Sequence, residues 1–195
     1  DHLQSGLSES FSYDALNRMT YASTTGGEVM SLTYDSLGNI SSKSDVGNYQ
    51  YDPNRPHQLT EVTGTRAATF TYDENGNQLT SSNGRTVTWS SFNKPIDIRQ
   101  NVSGGQNRTQ IRYGSDRKRY KTVVDHTQNG TTTTRTTHYI GDHYEQVFVD
   151  SKKESKHHFS AYGRTYAVFN ASEITGWSVG YLHTDHLGSV VAITG

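Results

Sequence analysis

A ten-residue phrase recurs along this chain and constrains its fold more than any other feature. It reads FSYDALNRMT at 11–20, returns as LTYDSLGNIS at 32–41, and returns again as FTYDENGNQL at 70–79. Looser copies begin at Tyr49, Val87 and Ile111. Self-similarity at a short period is typical of repeat architectures, in which each repeat is one supersecondary unit that packs on its neighbours.

Each copy opens with an apolar residue, a polar residue and an aromatic residue. This alternation has a period of two and predicts a β-strand with one buried face. Because the ring returns at the same strand position, we interpret it as a buried anchor. The predicted anchors are Tyr13, Tyr34, Tyr51, Tyr72 and Trp89.

A polar cluster follows each ring and predicts a tight turn. The Asp after the Tyr can accept hydrogen bonds from turn amides two residues on, and Gly and Asn tolerate positive φ. The predicted turn residues are Asp14, Asp35, Gly38, Asn39, Asp73, Gly76 and Asn77. A second β-prone stretch follows each cluster, so each unit is predicted to be a β-hairpin.

The spacing of the rings organises the chain as a single repeat region over 1–195. Successive anchors lie 21, 17, 21 and 17 residues apart, and the register loosens after Trp89. We therefore divide the region into regular repeats at 11–100, diverged repeats at 101–180 and a terminal segment at 181–195. No stretch has a helical period. The sequence predicts an all-β fold of antiparallel hairpins joined in a continuous curled sheet.

Composition indicates a shallow core. Leu, Ile, Val and Phe supply only 35 of 195 residues, a proportion typical of disordered chains, yet the net charge is −1 and 13 Tyr add buriable surface. The chain has no cysteine, which excludes disulfides and thiolate metal sites. No apolar run approaches the ~18 residues of a membrane-spanning helix. Because the chain begins with Asp and ends inside a β-prone run, we expect a fragment of a longer array.

The YDxxGN units resemble the YD repeats of the Rhs (rearrangement-hotspot) proteins. The segment HTDHLGSV at 183–190 resembles a phrase near the C-terminal end of the Rhs repeat region. The residues that carry this terminal motif are Asp185, His186, Leu187, Gly188 and Ser189. The resemblance covers nearly the whole chain, most sharply 11–100 and 181–193.

The resemblance implies a section of a spiralling hollow β shell that encloses a C-terminal toxin domain, with related shells in insecticidal toxin complexes and teneurins. It implies as partners the remaining repeats of the parent chain, the enclosed toxin and secretion-system components. It also implies a secreted or bacterial cell-surface location, with the signals outside this fragment. The family's self-cleaving centre is built around an Asp-Pro-x-Gly motif, which Pro53, Pro56 and Pro95 do not match. We therefore carry over no catalytic residue and expect no enzymatic activity.

A carbohydrate-binding or adhesive module is the main alternative, because exposed aromatic rings beside Asn and Asp can stack on sugars. The basic run at 116–121 would suit phosphate or an acidic glycan, although a solvated strand explains it more simply. His183, Asp185 and His186 resemble metal ligands, but a metal site needs three or four converging groups. The carboxylates recur at matching repeat positions, which favours a role in turns over a role in catalysis. No Gly-x-Ser-x-Gly motif of a nucleophilic serine occurs. We predict no cofactor, no metal and no nucleic-acid partner.

Overall fold

The computed structural model describes residues 8–27, 29–173 and 175–195. Within those ranges the regular elements are 18 β-strands, and none is a helix. Neighbouring strands pair antiparallel, so the predicted all-β fold of antiparallel hairpins is confirmed. The same ranges contain no helix long and apolar enough to cross a membrane.

The chain divides into two compact units, Asp1–Asn83 and Gly84–Gly195. The strands of the first unit are β1 (Glu9–Tyr13), β2 (Met19–Thr24), β3 (Val29–Tyr34), β4 (Ile40–Lys43), β5 (Gly47–Tyr51), β6 (Leu59–Thr63), β7 (Ala68–Tyr72) and β8 (Gln78–Ser81). The strands of the second unit are β9 (Arg85–Trp89), β10 (Pro95–Val102), β11 (Gly105–Tyr113), β12 (Arg119–Gln128), β13 (Thr131–Ile140), β14 (Tyr144–Val149), β15 (Lys152–Ala161), β16 (Arg164–Ser172), β17 (Gly176–Thr184) and β18 (Val190–Thr194). The subdivision predicted at residues 100 and 180 remains a prediction.

Pairing within each unit follows the order of the chain. From β1 to β8, and again from β9 to β18, each strand pairs antiparallel with the next. Among the described residues no strand pairing returns from the last strand of a unit to its first. Each unit is therefore an open meander built from consecutive hairpins.

A β-bulge accompanies each hairpin that contains the repeated phrase. In the β3–β4 hairpin Tyr34 pairs with Ile40, whereas Thr33 pairs with Ser42, so Ser41 is the extra residue. Equivalent shifts occur between β1 and β2, β5 and β6, β7 and β8, β9 and β10, β11 and β12, and β17 and β18. Because a bulge increases the local right-handed twist of the paired strands, each of these hairpins adds to the twist of its sheet.

The core is a row of side chains on the sheet face that carries the repeat tyrosines. In the first unit Tyr49, Val62 and Ala68 are cross-strand neighbours, and Val62 is only 4% exposed. In the second unit the row runs from Ile111 through Thr122 and Thr137 to Val147, which is 1% exposed. The opposite face of the first unit carries hydroxyls, such as the Thr71–Thr80 pair at 2.6 Å. This thin row is the core of a sheet with one apolar face.

Candidate functional site

The Asp of the repeated phrase organises a five-residue turn that closes the hairpin in which it lies. At Asp35 one carboxylate oxygen, Oδ1, accepts the amides of Leu37 at 2.9 Å and Asn39 at 2.8 Å. The other oxygen, Oδ2, accepts the side-chain amide of Asn39 at 2.8 Å. The backbone closes the same loop, because the Asp35 amide donates to the Asn39 carbonyl at 2.9 Å. Gly38 completes the turn at a φ of 89°.

The same turn recurs in two further hairpins of the first unit. The Asp73 carboxylate accepts the backbone amides of Asn75 and Asn77 and the side-chain amide of Asn77. Gly76 has a φ of 82°. Asp14 accepts the Leu16 and Arg18 amides at 2.9 Å. In these three turns the Asp carboxylate thus satisfies backbone donors that the sharp reversal would otherwise leave unpaired.

The terminal motif folds into this turn as well. Asp185 Oδ1 accepts the amides of Leu187 at 2.9 Å and Ser189 at 2.8 Å, and Gly188 has a φ of 91°. His186 occupies the variable second position of the turn, between Asp185 and Leu187. The segment 185–189 is therefore one more copy of the repeat turn, in which Thr184 replaces the usual Tyr and Ser189 replaces Asn.

Three hairpins use variants of the turn. Ser90 Oγ replaces the carboxylate and accepts the Lys94 amide at 3.1 Å. At Gly114 the backbone bonds persist, but Asp116 is the side chain that accepts the Lys118 amide, at 2.9 Å. After Tyr51 the loop is longer, and the Asp52 amide reaches the Gln58 carbonyl at 2.9 Å.

Hydrogen bonds to the carboxylates lower the pKa of Asp14, Asp35 and Asp73. The side-chain amide of Asn39 is the largest cause at Asp35, and that of Asn77 is the largest cause at Asp73. At Asp14 the backbone and guanidinium of Arg18 lower the pKa. Hydrogen bonding to the ionised form stabilises it, so these turns favour the charged state.

In four repeats the tyrosine hydroxyl joins the repeat to the one before it. Each hydroxyl donates to the backbone carbonyl of the residue that pairs with the preceding repeat's ring. The bonds run from Tyr34 to Met19 at 2.7 Å, from Tyr51 to Ile40 at 2.9 Å, from Tyr72 to Leu59 at 2.7 Å and from Tyr113 to Pro95 at 3.0 Å. We call these four bonds the tyrosine ladder.

The predicted anchors differ in burial. Tyr34, Tyr51, Tyr72 and Trp89 are half-buried. Burial raises the pKa of Tyr51 and of Tyr72. Tyr13 is 59% exposed and makes no ladder bond among the described residues, so the prediction of a buried anchor is wrong there. The reason is positional, because a ladder bond needs a preceding hairpin and β1 is the first described strand.

Sequence reasoning did not anticipate the ladder itself. The signal was present, because the ring at this position is a tyrosine with a hydroxyl in five of the six copies and never a phenylalanine. A purely hydrophobic anchor would not require that hydroxyl, whereas a buried tyrosine usually finds a hydrogen-bond partner.

The three polar residues weighed as metal ligands do not converge. His183 Nε2 is 2.9 Å from Thr194 Oγ1 on the neighbouring strand, and Asp185 Oδ1 is occupied by turn amides. Across the residues that the structure describes, no group of three or more His, Asp or Glu is arranged to hold a metal ion.

A cleft of about 510 Å³ lies in the second unit between the β11–β12 and β13–β14 turns. Lys118, Arg119 and Tyr120 line one side, and Tyr139 and Glu145 line the other. The basic run at 116–121 supplies Asp116, Lys118, Arg119 and Tyr120 to this cleft. The repeat spacing is a weaker signal of the cleft, since 24 residues separate Trp89 from Tyr113 and 26 separate Tyr113 from Tyr139.

No family model and no curated protein matches the chain. A solved structure of the Photorhabdus luminescens Tc holotoxin pore, with a mutation in TccC3, is similar over 96% of this chain at 13% identity and a TM-score of 0.52. A crystal structure of TcdB2-TccC3-TEV covers 94% of the chain at 14% identity and a TM-score of 0.47. This chain spans 14% of the length of each of those chains. The likeness to the holotoxin pore is one of fold, and this chain is folded like a segment of a Tc toxin component.

Proposed function

We propose that this chain is a structural section of an Rhs-type β shell that encloses a toxin domain. The observation that carries the proposal is the ladder, in which consecutive hairpins are joined by tyrosine hydroxyls. Such an array extends by adding hairpins. The sequence resemblance to YD repeats and the fold likeness to a Tc holotoxin component support the same interpretation.

The mechanism would be encapsulation. A sheet of hydrogen-bonded hairpins leaves few unpaired backbone groups between its strands, so it would exclude proteases from an enclosed volume. Its own chemistry would be passive, and we propose that this section is not an enzyme. The partners would be the other repeats of the parent chain and the enclosed toxin. The location would be secreted or at the bacterial cell surface.

The first test is the mass of the intact polypeptide that contains this sequence. We expect a mass far above 21.7 kDa, with further YD repeats and an unrelated C-terminal domain. Limited proteolysis of that native protein should then leave the C-terminal domain intact. After the repeats are unfolded with urea, the same protease should degrade it.

A C-terminal domain that is cleaved equally fast before and after the urea step would contradict encapsulation. A parent polypeptide of about 21.7 kDa would contradict it as well, because this chain would then have no cargo to enclose. As a control, the protease should cut a fused, unstructured peptide at the same rate with and without urea. An equal rate shows that urea has not changed the activity of the protease.

A further inference from the structure

Three asparagines of the chain are followed directly by glycine: Asn75, Asn83 and Asn129. An asparagine before glycine can lose its side-chain amide without an enzyme. The next backbone nitrogen attacks the side-chain carbonyl carbon, and glycine places no side chain in the way. All three pairs lie in turns between strands, so the backbone around each pair decides whether it can react.

The Asn129–Gly130 pair forms the whole two-residue loop between β12 and β13, because Gln128 pairs with Thr131. Asn129 has a φ of 49° and Gly130 a φ of 79°, which are values of a type I′ turn. Both residues are exposed, and an added Cβ at Gly130 would meet nothing within 4 Å. In the described part of the chain the Gly130 amide donates no hydrogen bond to the backbone. The peptide between Asn129 and Gly130 is therefore free to rotate.

Rotation of that peptide converts a type I′ turn into a type II′ turn. Asn129 would keep its positive φ, and Gly130 would change the sign of its φ, which glycine does at little cost. In a type II′ turn the first central residue has a ψ of about −120°. This ψ places the Gly130 nitrogen next to the Asn129 side-chain carbonyl carbon. The reactive geometry is thus one peptide rotation away from the folded turn.

The Asn75–Gly76 pair is restrained by the Asp73 turn. The Asp73 carboxylate accepts the Asn75 amide at 3.0 Å. The Gly76 amide contains the nitrogen that would attack, and it donates to the Asp73 carbonyl at 3.1 Å. Attack on the Asn75 side chain would first require this hydrogen bond to break, so the folded turn protects Asn75.

The Asn83–Gly84 pair is restrained by Asn101. The Gly84 carbonyl accepts the Asn101 amide at 3.0 Å. The Asn101 side chain packs against Gly84, since an added Cβ there would lie 2.9 Å from Asn101 Cβ. Rotation of the backbone at Gly84 would disturb both contacts, so this pair is also held away from the reactive geometry.

We propose that Asn129 is a site of spontaneous deamidation in the folded protein. The Gly130 nitrogen gives up its proton and bonds to the Asn129 side-chain carbonyl carbon, and the side-chain nitrogen leaves as ammonia. Water then opens the cyclic succinimide at one of its two carbonyls, which yields aspartate or isoaspartate. The reaction needs only water, so it does not depend on the proposed shell function.

The isoaspartate product would alter the β12–β13 hairpin. It routes the main chain through the side-chain carbons of residue 129 and so lengthens a loop that is already as short as a hairpin allows. The Gln128–Thr131 pair should separate first, followed by the contact of the Thr127 and Thr132 hydroxyls at 2.9 Å. The aspartate product should keep the turn, because Asp-Gly also occurs in type I′ turns.

The test compares the three asparagines within one protein. The polypeptide that contains this sequence is incubated at mildly alkaline pH, folded and in guanidinium chloride, and peptide mapping by mass spectrometry follows amide loss at each asparagine. The unfolded chain gives the rate of each site without structure, and these rates should be similar. In the folded protein Asn129 should react about fivefold faster than Asn75 or more, the factor that one backbone hydrogen bond provides. Both isoaspartate and aspartate should form.

Gly130→Asn is the matched variant. Asparagine tolerates positive φ, and the open space at Gly130 accommodates its side chain, so the turn should be retained. The new side chain would shield the attacking nitrogen, so amide loss at Asn129 should slow several-fold while the rate at Asn75 stays unchanged. An unchanged rate at Asn129 would contradict attack by the backbone nitrogen.

Equal or faster amide loss at Asn75 or Asn83 in the folded protein would overturn the proposal. Formation of aspartate alone would overturn it as well, because direct hydrolysis of the side chain forms no succinimide. A folded Asn129 that stays intact while the unfolded chain reacts would show that the turn protects it. The comparison of the three sites needs no variant, so it decides the question even if Gly130→Asn fails to fold.

Discussion

The tyrosine hydroxyl of the repeat is a specific structural contact as well as part of an apolar anchor. Tyr72 is half-buried, and its hydroxyl donates to the Leu59 carbonyl at 2.7 Å. A phenylalanine would fill the same space but leave that carbonyl without its partner. The hydrogen bond and the ring packing are therefore separable contributions to stability.

We expect Tyr72→Phe to lower the free energy of unfolding by about 1 kcal/mol, the net value of one hydrogen bond. Urea denaturation of both proteins measures the change. Tyr13→Phe is the matched control, since Tyr13 lies at the same repeat position but is 59% exposed and has no ladder bond among the described residues. Its effect should stay within about 0.5 kcal/mol, as for ordinary surface positions. Equal effects at the two positions would contradict a specific role for the ladder hydroxyl.

The Asp-closed turn is the element that repeats most faithfully, and its residues have separate tasks. The carboxylate collects backbone amides, while the fourth residue of the turn adopts positive φ. That fourth position is Gly38, Gly76 or Gly188 in some copies, and it is Asn17 at 58° or Asn93 at 57° in others. These copies use residues that tolerate the left-handed region where the turn requires it, whereas the Gly114 turn has Arg117 there at 59°.

At Gly76 we expect substitution by valine to destabilise the chain by about 1–3 kcal/mol, because a β-branched residue resists positive φ. The cost is one of backbone conformation, since an added Cβ would meet nothing within 4 Å. Gly76→Asn should cost much less, because asparagine occupies this position in two other turns. Thermal and urea unfolding of the two variants distinguish these outcomes, and an equal loss from both would contradict the argument.

The turn carboxylates also predict an acid dependence of stability. The pKa values of Asp35 and Asp73 are lowered from 3.8 in the folded chain, so their contribution is present above the unfolded value and is lost as pH falls through the folded value. We expect the urea midpoint to decrease between pH 6 and pH 3. In a chain carrying both Asp35→Asn and Asp73→Asn this decrease should be smaller. A decrease of the same size in the double variant would assign the acid dependence to other groups.

At the scale of the whole molecule, stability is distributed along the chain. In the part of the chain that the structure describes, contacts between strands join consecutive strands within each unit. An array with nearest-neighbour contacts has a stability that approximates a sum of local contributions, and it opens locally. A defect in one hairpin should therefore affect its neighbours before distant repeats.

Hydrogen exchange tests this locality. Gly76→Val should accelerate amide exchange in β7 and β8, while exchange in β12 and β13 of the second unit stays close to that of the unaltered chain. The unaltered chain under the same conditions is the reference for every amide. Uniform acceleration across both units would show that the chain opens as one cooperative body.

The hairpins and their turns could be predicted from the sequence, because they depend on interactions between residues close together in the chain. The Asp35 turn is complete within residues 35–39, and strand alternation is visible in three consecutive residues. Which rings are covered and which hydroxyls find partners depends on contacts between strands that the sequence pattern does not reveal. Ladder partners lie 11 to 18 residues apart, and the cleft combines residues of β12, β13, β14 and β15. Such contacts depend on strand register and bulge position, which local preferences do not specify.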